Sequence, residues 1–349
     1  MELLNFLTHL AFAGTIFLGS AAMTYGMARY VRVMDVPNDR SSHTRPVPKS
    51  GGIAIVATFV AGSLVIYFVA EVARIDDRYF WGYLITAVLL ATVSFIDDIL
   101  QKTFVAKIMT QVLCVSVALA SGVVLTRLAI PRFGEVPLGW PGYVLTFLWI
   151  LGLTNAYNFM DGLDGLAGGV AVIAAAFLGA IALEQNSVFV YLSSYLLLAG
   201  SAGFLLFNFP PARIFMGDVG SAFLGFTFAI LAVIGASLDL GHLSFYIVPM
   251  LLFHFIFDTV FTFCRRLLRG EQVHAAHRTH LYQLLNRLGY SHKAVSLFHY
   301  ALTVVQGIAA FVSLKLPSEQ RLYLFIPFLL FGIAYARWVL TRARAMQLI

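Results

Sequence analysis

Eleven stretches of about 20 residues, each almost free of charged side chains, dominate this sequence. At a rise of about 1.5 Å per residue, a helix of that length crosses the roughly 30 Å hydrocarbon core of a bilayer. The sequence therefore predicts an all-α polytopic membrane protein with about eleven transmembrane helices. The predicted spans are residues 7–27, 51–70, 79–96, 108–125, 139–157, 165–183, 188–207, 220–237, 245–264, 295–314 and 322–340.

The composition excludes the soluble classes of protein. Hydrophobic residues make up 60% of the chain and charged residues only 11%, about half the charge of a soluble domain. Its two cysteines, Cys114 and Cys264, lie in apolar runs, so no disulfide or zinc framework is expected. The first stretch follows Glu2 and no basic residue, unlike a signal peptide, so we expect it to be retained. Residues 1–349 are predicted to form one integral-membrane domain.

The distribution of basic residues predicts the orientation. With the N-terminus outside, 17 of the 23 lysines and arginines fall on the inner side, as the positive-inside rule requires. The C-terminus then lies inside, as do the two longest loops, residues 29–50 and 265–294. The net charge of +6 is thereby explained without a nucleic-acid partner.

Five carboxylates are predicted at the inner ends of the spans, in three separate loops. They are Asp97, Asp98, Asp161, Asp164 and Asp218. Carboxylates at the edge of the hydrocarbon are costly unless they are paired or bind a metal, so their default interpretation is functional.

The residue types around these carboxylates favour magnesium and phosphate chemistry. Mg²⁺ prefers oxygen ligands and combines one or two carboxylates with phosphate oxygens. Cations that could balance an anionic substrate lie on the same predicted inner side: Lys49, Lys102, Lys107, Arg213 and Arg278. This combination at a membrane surface suits phosphoryl transfer to or from a lipid phosphate.

Five sequence blocks strengthen this interpretation. They are DVPNDRSSHTRPVPKSGGIAI (35–55), FIDD (95–98), NAYNFMDGLDGLAGG (155–169), NFPPARIFMGDVGS (208–221) and AHRTHLYQLL (276–285). In this order, all on the predicted inner side, they resemble the polyprenyl-phosphate N-acetylhexosamine-1-phosphate transferases, which include the phospho-MurNAc-pentapeptide translocases. The loop around His280 reads HRTHLYQ, which resembles the O-antigen and capsule branch rather than the adjacent histidines of the peptidoglycan enzymes.

The resemblance implies an activity. A HexNAc-1-phosphate group would pass from a UDP-N-acetylhexosamine to undecaprenyl phosphate, releasing UMP and initiating O-antigen or another cell-surface polysaccharide. The cofactor would be Mg²⁺, with Mn²⁺ as an alternative. The enzyme would lie in the bacterial inner (plasma) membrane, with its N-terminus periplasmic and its active site cytoplasmic. A homodimer is compatible with the family, and no residue identifies the sugar.

The resemblance also implies roles for individual residues. Asp97 and Asp98 would lie near the acceptor phosphate, as a general base or in positioning, and Asp218 and Asn158 would be oxygen ligands of the metal. Lys107 would contact phosphate or uridine. The loop with His277, Arg278 and His280 would contact diphosphate and sugar. The remaining predicted substrate contacts are Lys49, Asn155, Asp161, Asp164 and Asn208.

Several of these residues could instead have a purely structural role. Asp97 and Asp98 could be a capping pair, Asp218 an N-cap, and Lys107 a lysine that extends to the membrane surface. If helical, Asn155, Asn158 and Asp161 share one face, since they are three residues apart. His254 and Asp258, four residues apart within a predicted span, could form a structural ion pair or part of the site's wall.

Two other functions are alternatives to the transferase. A transporter or flippase of a lipid-linked sugar fits eleven spans and the intramembrane Asp258, but the polar residues cluster on one face only. A CDP-alcohol phosphotransferase would need a denser run of aspartates than DGLDG. Of the two transfer mechanisms, direct attack by the lipid phosphate is favoured over an aspartyl-phosphate intermediate, because a metal-bound Asp218 would be a poor nucleophile.

Overall fold

The long apolar stretches of the sequence fold as helices in the computed structural model, which describes residues 2–31, 33–37, 45–70, 75–100, 104–239, 241–272 and 277–349. The helices are α1 (Glu2–Tyr30), α2 (Gly52–Val69), α3 (Asp77–Leu100), α4 (Phe104–Ala120), α5 (Trp140–Phe159), α6 (Leu166–Glu184), α7 (Val188–Asn208), α8 (Asp218–Ser237), α9 (Ile247–Leu251), α10 (Phe253–Leu268), α11 (Leu281–Arg287), α12 (His292–Val312) and α13 (Phe325–Ala345). Short 3₁₀ helices, Ser313–Lys315 and Ser318–Leu324, join the last two.

Eight helices within the described residues are long and apolar enough to cross a membrane. They are α1, α2, α3, α6, α7, α8, α12 and α13, the last two extended by the 3₁₀ turns. The chain is therefore a multi-pass membrane protein, as its sequence predicts. The other three predicted spans fall on helices that are shorter or more polar. Helix α4 has only 17 residues, α5 is diluted by Gly, Thr and Asn, and the 245–264 stretch is divided between α9 and α10 at Leu252.

The chain is mostly helical, as predicted, and two small antiparallel sheets are also present. Strand β1 (Met34–Asp35) pairs with β2 (Val47–Pro48), and β3 (Arg127–Ile130) pairs with β4 (Gly134–Pro137). Strands of two to four residues are too short to display a two-residue hydrophobic alternation, so the sequence does not reveal them.

Helix α8 forms the centre of the molecule. Every residue from Val219 to Gly235 is buried, as expected for a helix that is apolar on all sides. It packs against α3 and α5, and also against α2, α7 and α9. At Gly52 and Gly220, α2 and α8 approach so closely that a Cβ on Gly52 would lie 2.3 Å from the Gly220 Cα.

Candidate active site

Helix α8 runs antiparallel to both α3 and α5. The Tyr83 hydroxyl of α3 donates to the Thr227 hydroxyl at 3.3 Å, and Trp149 Nε1 of α5 donates to the Ala229 carbonyl at 3.0 Å. At the start of α8, the Val219 N–H donates to Asp98 of α3 and Asn158 of α5 donates to Ser221 Oγ, so the final turns of α3 and α5 meet the first turn of α8. The three predicted acidic loops therefore converge at one end of the bundle.

The centre of this junction is a contact between Asp218, Asn158 and Lys107. Lys107 Nζ donates to Asp218 Oδ2 at 2.5 Å and to Asn158 Oδ1 at 2.8 Å. Asn158 Nδ2 in turn donates to Asp218 Oδ1 at 2.9 Å and to Ser221 Oγ at 2.8 Å. Asp218 is the first residue of α8 and Gly217 is its N-cap, so the alternative of Asp218 as an N-cap is wrong. Two oxygens predicted to bind a metal thus converge on one cation.

A second ion pair lies beside the first. The Asp98 carboxylate is buried, accepts a hydrogen bond from the Val219 N–H at 3.3 Å and pairs with Lys49 Nζ at 3.4 Å. Lys49 reaches this position because it follows strand β2, which is fixed by the Phe215 N–H donating to the Pro48 carbonyl at 2.8 Å. Lys49 and Asp98, both predicted site residues, therefore lie at the junction.

Asp97 and Asp98 point in different directions and differ in burial. Consecutive helical residues point about 100° apart, and only Asp98 is buried whereas Asp97 is half-buried. The space around Asp98 is tight: a Cβ on Gly217 would lie 2.6 Å from Asp98 Oδ2, and Gly217 has a φ of 74°. Only glycine fits there without strain.

The first residues after α5 complete the acidic cluster. Helix α5 ends at Phe159, so the condition for a common face of Asn155, Asn158 and Asp161 holds for the two asparagines but not for Asp161, which lies in the following loop. Asn155 is helical and its Nδ2 donates to Gln111 Oε1 at 2.7 Å.

Asp161 has the most perturbed environment of the loop carboxylates. Burial, followed by the negative charges of Asp218, Asp98 and Asp164, raises the pKa of Asp161 to about 8. Like charges in a low-dielectric site disfavour ionisation, so a cation in this cluster would be strongly favoured.

Asp164 and Asn208 hold the backbone of the site. Asp164 Oδ2 accepts a hydrogen bond from the Ala212 N–H at 3.0 Å, and Asp164 Oδ1 lies 3.1 Å from His292 Nδ1. Asn208 Oδ1 accepts from the Gly165 N–H at 3.0 Å, and its Nδ2 donates to a carbonyl six residues further along the chain. Both were predicted to contact substrate, whereas these contacts tie the 161–165 loop to the 208–214 segment.

A cavity of about 960 Å³ opens between α5 and α10. Most of its surface is apolar, with Leu148 and Gly152 of α5 facing Val260 and Phe263 of α10. The shape and polarity suit a long hydrocarbon chain. We refer to this cavity as the α5–α10 groove.

One end of the α5–α10 groove is polar. Asn155, Arg266, His277, His280 and Gln283 line it there. Since Asn155 lies three residues before Asn158 on α5, the polar end of the groove adjoins the acidic junction. A ligand with an apolar chain and an anionic head would place its head between the polar end of the groove and the acidic junction.

The predicted histidine loop contributes two of its three residues to the groove. His277 and His280 line it and their rings stack, with centroids 5.0 Å apart. Burial and the nearby His280, Arg266 and Arg265 lower the pKa of His277 to about 4. Arg278 does not line the groove. A further basic candidate, Lys102, lies outside the described residues.

The predicted pairing of His254 with Asp258 is wrong. His254 Nδ1 instead lies 2.8 Å from Gln306 Oε1, and Asp258 pairs with His280 Nδ1 at 3.1 Å. The four-residue spacing would allow an ion pair within α10, but the Asp258 carboxylate is occupied by groups that precede and begin α11.

Sequence reasoning missed Arg266 as a groove residue. It is buried, pairs with Glu271 at 2.8 Å and donates to the Gln272 carbonyl at 2.8 Å. A signal was present, because Arg266 continues the four-residue spacing of His254 and Asp258 along α10 through Thr262. The same reasoning missed Gln283, and Ser221 as a partner of Asn158.

The residues at the junction fit a metal that is completed by a ligand. Among the described residues, no group of three or more His, Cys, Asp or Glu side chains is arranged to hold a metal ion. Asp218 and Asn158 nonetheless direct two oxygens at one cation, the Lys107 ammonium. Mg²⁺ is commonly held by one or two protein ligands together with phosphate oxygens and water, which is the arrangement that this junction allows.

Comparison with known proteins gives a consistent result. The profile described as glycosyl transferase family 4 matches residues 80–236. The chain is 34% identical to "Probable undecaprenyl-phosphate N-acetylglucosaminyl 1-phosphate transferase" of Bacillus subtilis, over 86% of this chain and 82% of that relative. It is 28% identical to "Undecaprenyl-phosphate alpha-N-acetylglucosaminyl 1-phosphate transferase" of Yersinia pestis, over 98% and 95%. A "Phospho-N-acetylmuramoyl-pentapeptide-transferase" of Listeria monocytogenes is 33% identical over 54% of this chain and 60% of the relative.

Proposed function

This chain belongs to the polyprenyl-phosphate N-acetylhexosamine-1-phosphate transferases of glycosyl transferase family 4, and we propose that it uses a UDP-N-acetylhexosamine and undecaprenyl phosphate. Its products would be UMP and undecaprenyl-diphosphate-HexNAc. The observation that carries the proposal is that the α5–α10 groove, large and apolar, ends beside the junction of Asp98, Asn158 and Asp218 with two lysines.

The proposed positions of the substrates follow from polarity. The prenyl chain would lie in the apolar part of the α5–α10 groove, and its phosphate would lie at the polar end, near Arg266 and His280. The donor diphosphate would lie at the junction, where Lys49 and Lys107 supply positive charge. Both phosphates are anionic, so their approach needs cations to offset the repulsion between them.

The proposed chemistry is a displacement at phosphorus. An oxygen of the lipid phosphate attacks the β-phosphorus of the UDP-sugar, and the bond from that phosphorus to the bridging oxygen of the α-phosphate breaks. UMP leaves with the electron pair. The lipid phosphate is already largely dianionic at neutral pH, since its second pKa is about 6, so Asp98 serves positioning more than proton removal. Direct attack needs no aspartyl-phosphate.

We assign the proposed metal to Asp218 and Asn158. Mg²⁺ held there would neutralise charge on the phosphate oxygens, and Mn²⁺ is the alternative ion. Lys107, which contacts both oxygens in the ligand-free structure, would then turn its ammonium to the phosphates.

The membrane arrangement belongs to the same proposal. All eleven predicted spans would cross, with the N-terminus periplasmic and the C-terminus cytoplasmic, in the bacterial inner membrane. The excess of lysine and arginine on the side of the acidic junction supports this orientation. The product would initiate O-antigen or another cell-surface polysaccharide. A homodimer remains compatible with this arrangement.

Purified protein in detergent tests the proposal directly. UMP release would be measured with Mg²⁺, undecaprenyl phosphate and a panel of UDP-HexNAc donors, with EDTA and Asp218→Asn as controls. We expect Mg²⁺-dependent UMP with at least one donor, lost with EDTA and in the variant. Absence of UMP with every donor, from protein shown to be folded, would overturn the proposal and favour transport of a lipid-linked sugar.

A further inference from the structure

Asp258 is a carboxylate buried within α10, where it is 2% exposed. A buried charge of this kind needs several hydrogen-bond donors. Asp258 Oδ1 accepts from the Leu281 N–H at 2.9 Å and the Thr262 hydroxyl at 3.1 Å, and Oδ2 accepts from the Tyr282 N–H at 3.0 Å. The fourth partner is His280 Nδ1, at 3.1 Å from Oδ1.

Asp258 does not line the α5–α10 groove. It lines a separate cavity of about 20 Å³, together with His254 and Gln306. His280 lies between the two, because its ring lines the groove and its Nδ1 contacts Asp258. Of the side-chain partners of Asp258, His280 and Thr262 line the groove, and His280 is the one whose ring nitrogen can face a phosphate there.

The contact with Asp258 determines how the His280 ring can act. With Nδ1 directed at a carboxylate, Nε2 is the only ring nitrogen left for a ligand. The contact also fixes the plane of the ring, so a phosphate oxygen at the polar end of the groove would meet Nε2. The stacked ring of His277 further restricts rotation of His280.

We propose that Asp258 is a positioning residue for phosphate transfer: through Nδ1 of His280 it presents Nε2 to the phosphates at the polar end of the α5–α10 groove. This inference rests on the proposed function above. Two groups of Asp258 partners thereby have different roles. The backbone N–H groups anchor α11, and the His280 imidazole faces the ligand.

A double-mutant cycle on UMP release tests this inference, using the donor that the wild-type protein accepts. Asp258→Asn keeps an acceptor for one of the two backbone N–H groups and removes the charge. We expect Asp258→Asn and His280→Ala each to lower turnover by about 10- to 100-fold, the usual effect of removing the carboxylate partner of a functional histidine. The double variant should be no slower than the slower single variant, because both changes disable the same contact.

The matched control is Asp239→Asn. Asp239 is also a buried carboxylate that accepts from a hydroxyl and a backbone N–H, those of Ser187 and Val190, but it lies beyond the opposite end of α8. It should keep wild-type turnover. Full activity of Asp258→Asn would overturn the inference, and so would effects of the two single variants that multiply. An inactive wild-type protein would instead refute the proposed function.

A size-matched pair covers the case in which Asp258→Asn does not fold. Asp258→Glu retains a carboxylate, whereas Asp258→Gln is equal in size and neutral. We expect the glutamate variant to turn over about 10 times faster than the glutamine variant at similar thermal stability. Equal turnover would show that only packing of α11 depends on this position and would overturn the inference.

Discussion

The two ends of helix α8 each have a carboxylate, and the two carboxylates have different partners. At the first residue, Asp218 contacts the Lys107 ammonium and the Asn158 amide. Beyond the last turn, about 30 Å away for a helix of this length, Asp239 accepts from the Ser187 hydroxyl at 2.5 Å and the Val190 N–H at 3.3 Å.

This difference distinguishes a carboxylate in a candidate ligand site from a carboxylate that caps a helix. The partners of Asp239 belong to the start of α7, where a carboxylate satisfies a first-turn N–H that lacks an intrahelical acceptor. The partners of Asp218 are side chains that could turn to a ligand, and one of them is itself a cation. Burial of a carboxylate at a helix end therefore does not by itself indicate function, whereas the chemistry of its partners does.

The largest expected effect is that of Asp218→Asn. If Asp218 binds the metal, turnover of UMP release should fall by about 1,000-fold, since preorganised charge stabilisation at a transferring phosphate is lost. The thermal unfolding midpoint should change little, because the amide oxygen can still accept a hydrogen bond from the Lys107 ammonium. Turnover within about threefold of wild type would remove the distinction between the two ends of α8.

Lys107→Met should be the next most severe change. We expect about a 100-fold loss of turnover, because a phosphate-facing cation is removed. The Lys107 ammonium also occupies the space between two oxygens, so Mn²⁺ should bind the substrate-free variant more tightly than wild type, as measured by electron paramagnetic resonance. Lys293→Met, an exposed lysine on α12, is the control. Weaker Mn²⁺ binding in Lys107→Met would contradict the assignment of Asp218 and Asn158.

Arg266→Gln extends the comparison to the α5–α10 groove. Loss of a charged donor to phosphate typically costs about 1.5–3 kcal/mol, so the KM for undecaprenyl phosphate should rise about 10-fold or more at saturating donor. Arg269→Gln is the matched control, because Arg269 approaches the same Glu271, at 3.9 Å, without lining the groove. Equal KM values for the two variants would contradict a role of Arg266 in acceptor binding.

Sequence reasoning succeeded where a single helix carries the information. Most of the predicted spans lie on a single helix, and the carboxylates of the three inner loops do meet, because alternate ends of antiparallel helices share one face of the bundle. It failed where the outcome depends on packing between distant segments. The partner of Asp258 lies 22 residues away at His280, so the local i, i+4 spacing to His254 was misleading.

The same limit applies to the backbone that supports the site. Asn208 and Asp164 belong to the quoted blocks, but their hydrogen bonds to the backbone of neighbouring loops depend on how those loops fold around α8. A sequence block identifies which residues belong to a site without separating those that contact ligand from those that shape it. Strands of two residues and the division between α9 and α10 at Leu252 leave no periodic pattern at all.

Asp239→Asn should have the smallest effect. Unlike Asp218→Asn, it should lower stability and leave turnover unchanged. The amide oxygen can still accept from Ser187, so only the charge-assisted part of the contact is lost, about 1 kcal/mol. In a chain of this size that corresponds to about 2 °C in the thermal unfolding midpoint, measured in detergent, with UMP turnover unchanged. If Asp239→Asn instead lost turnover at unchanged stability, the two ends of α8 would be functionally linked, and the separation of site from cap by partner chemistry would not hold.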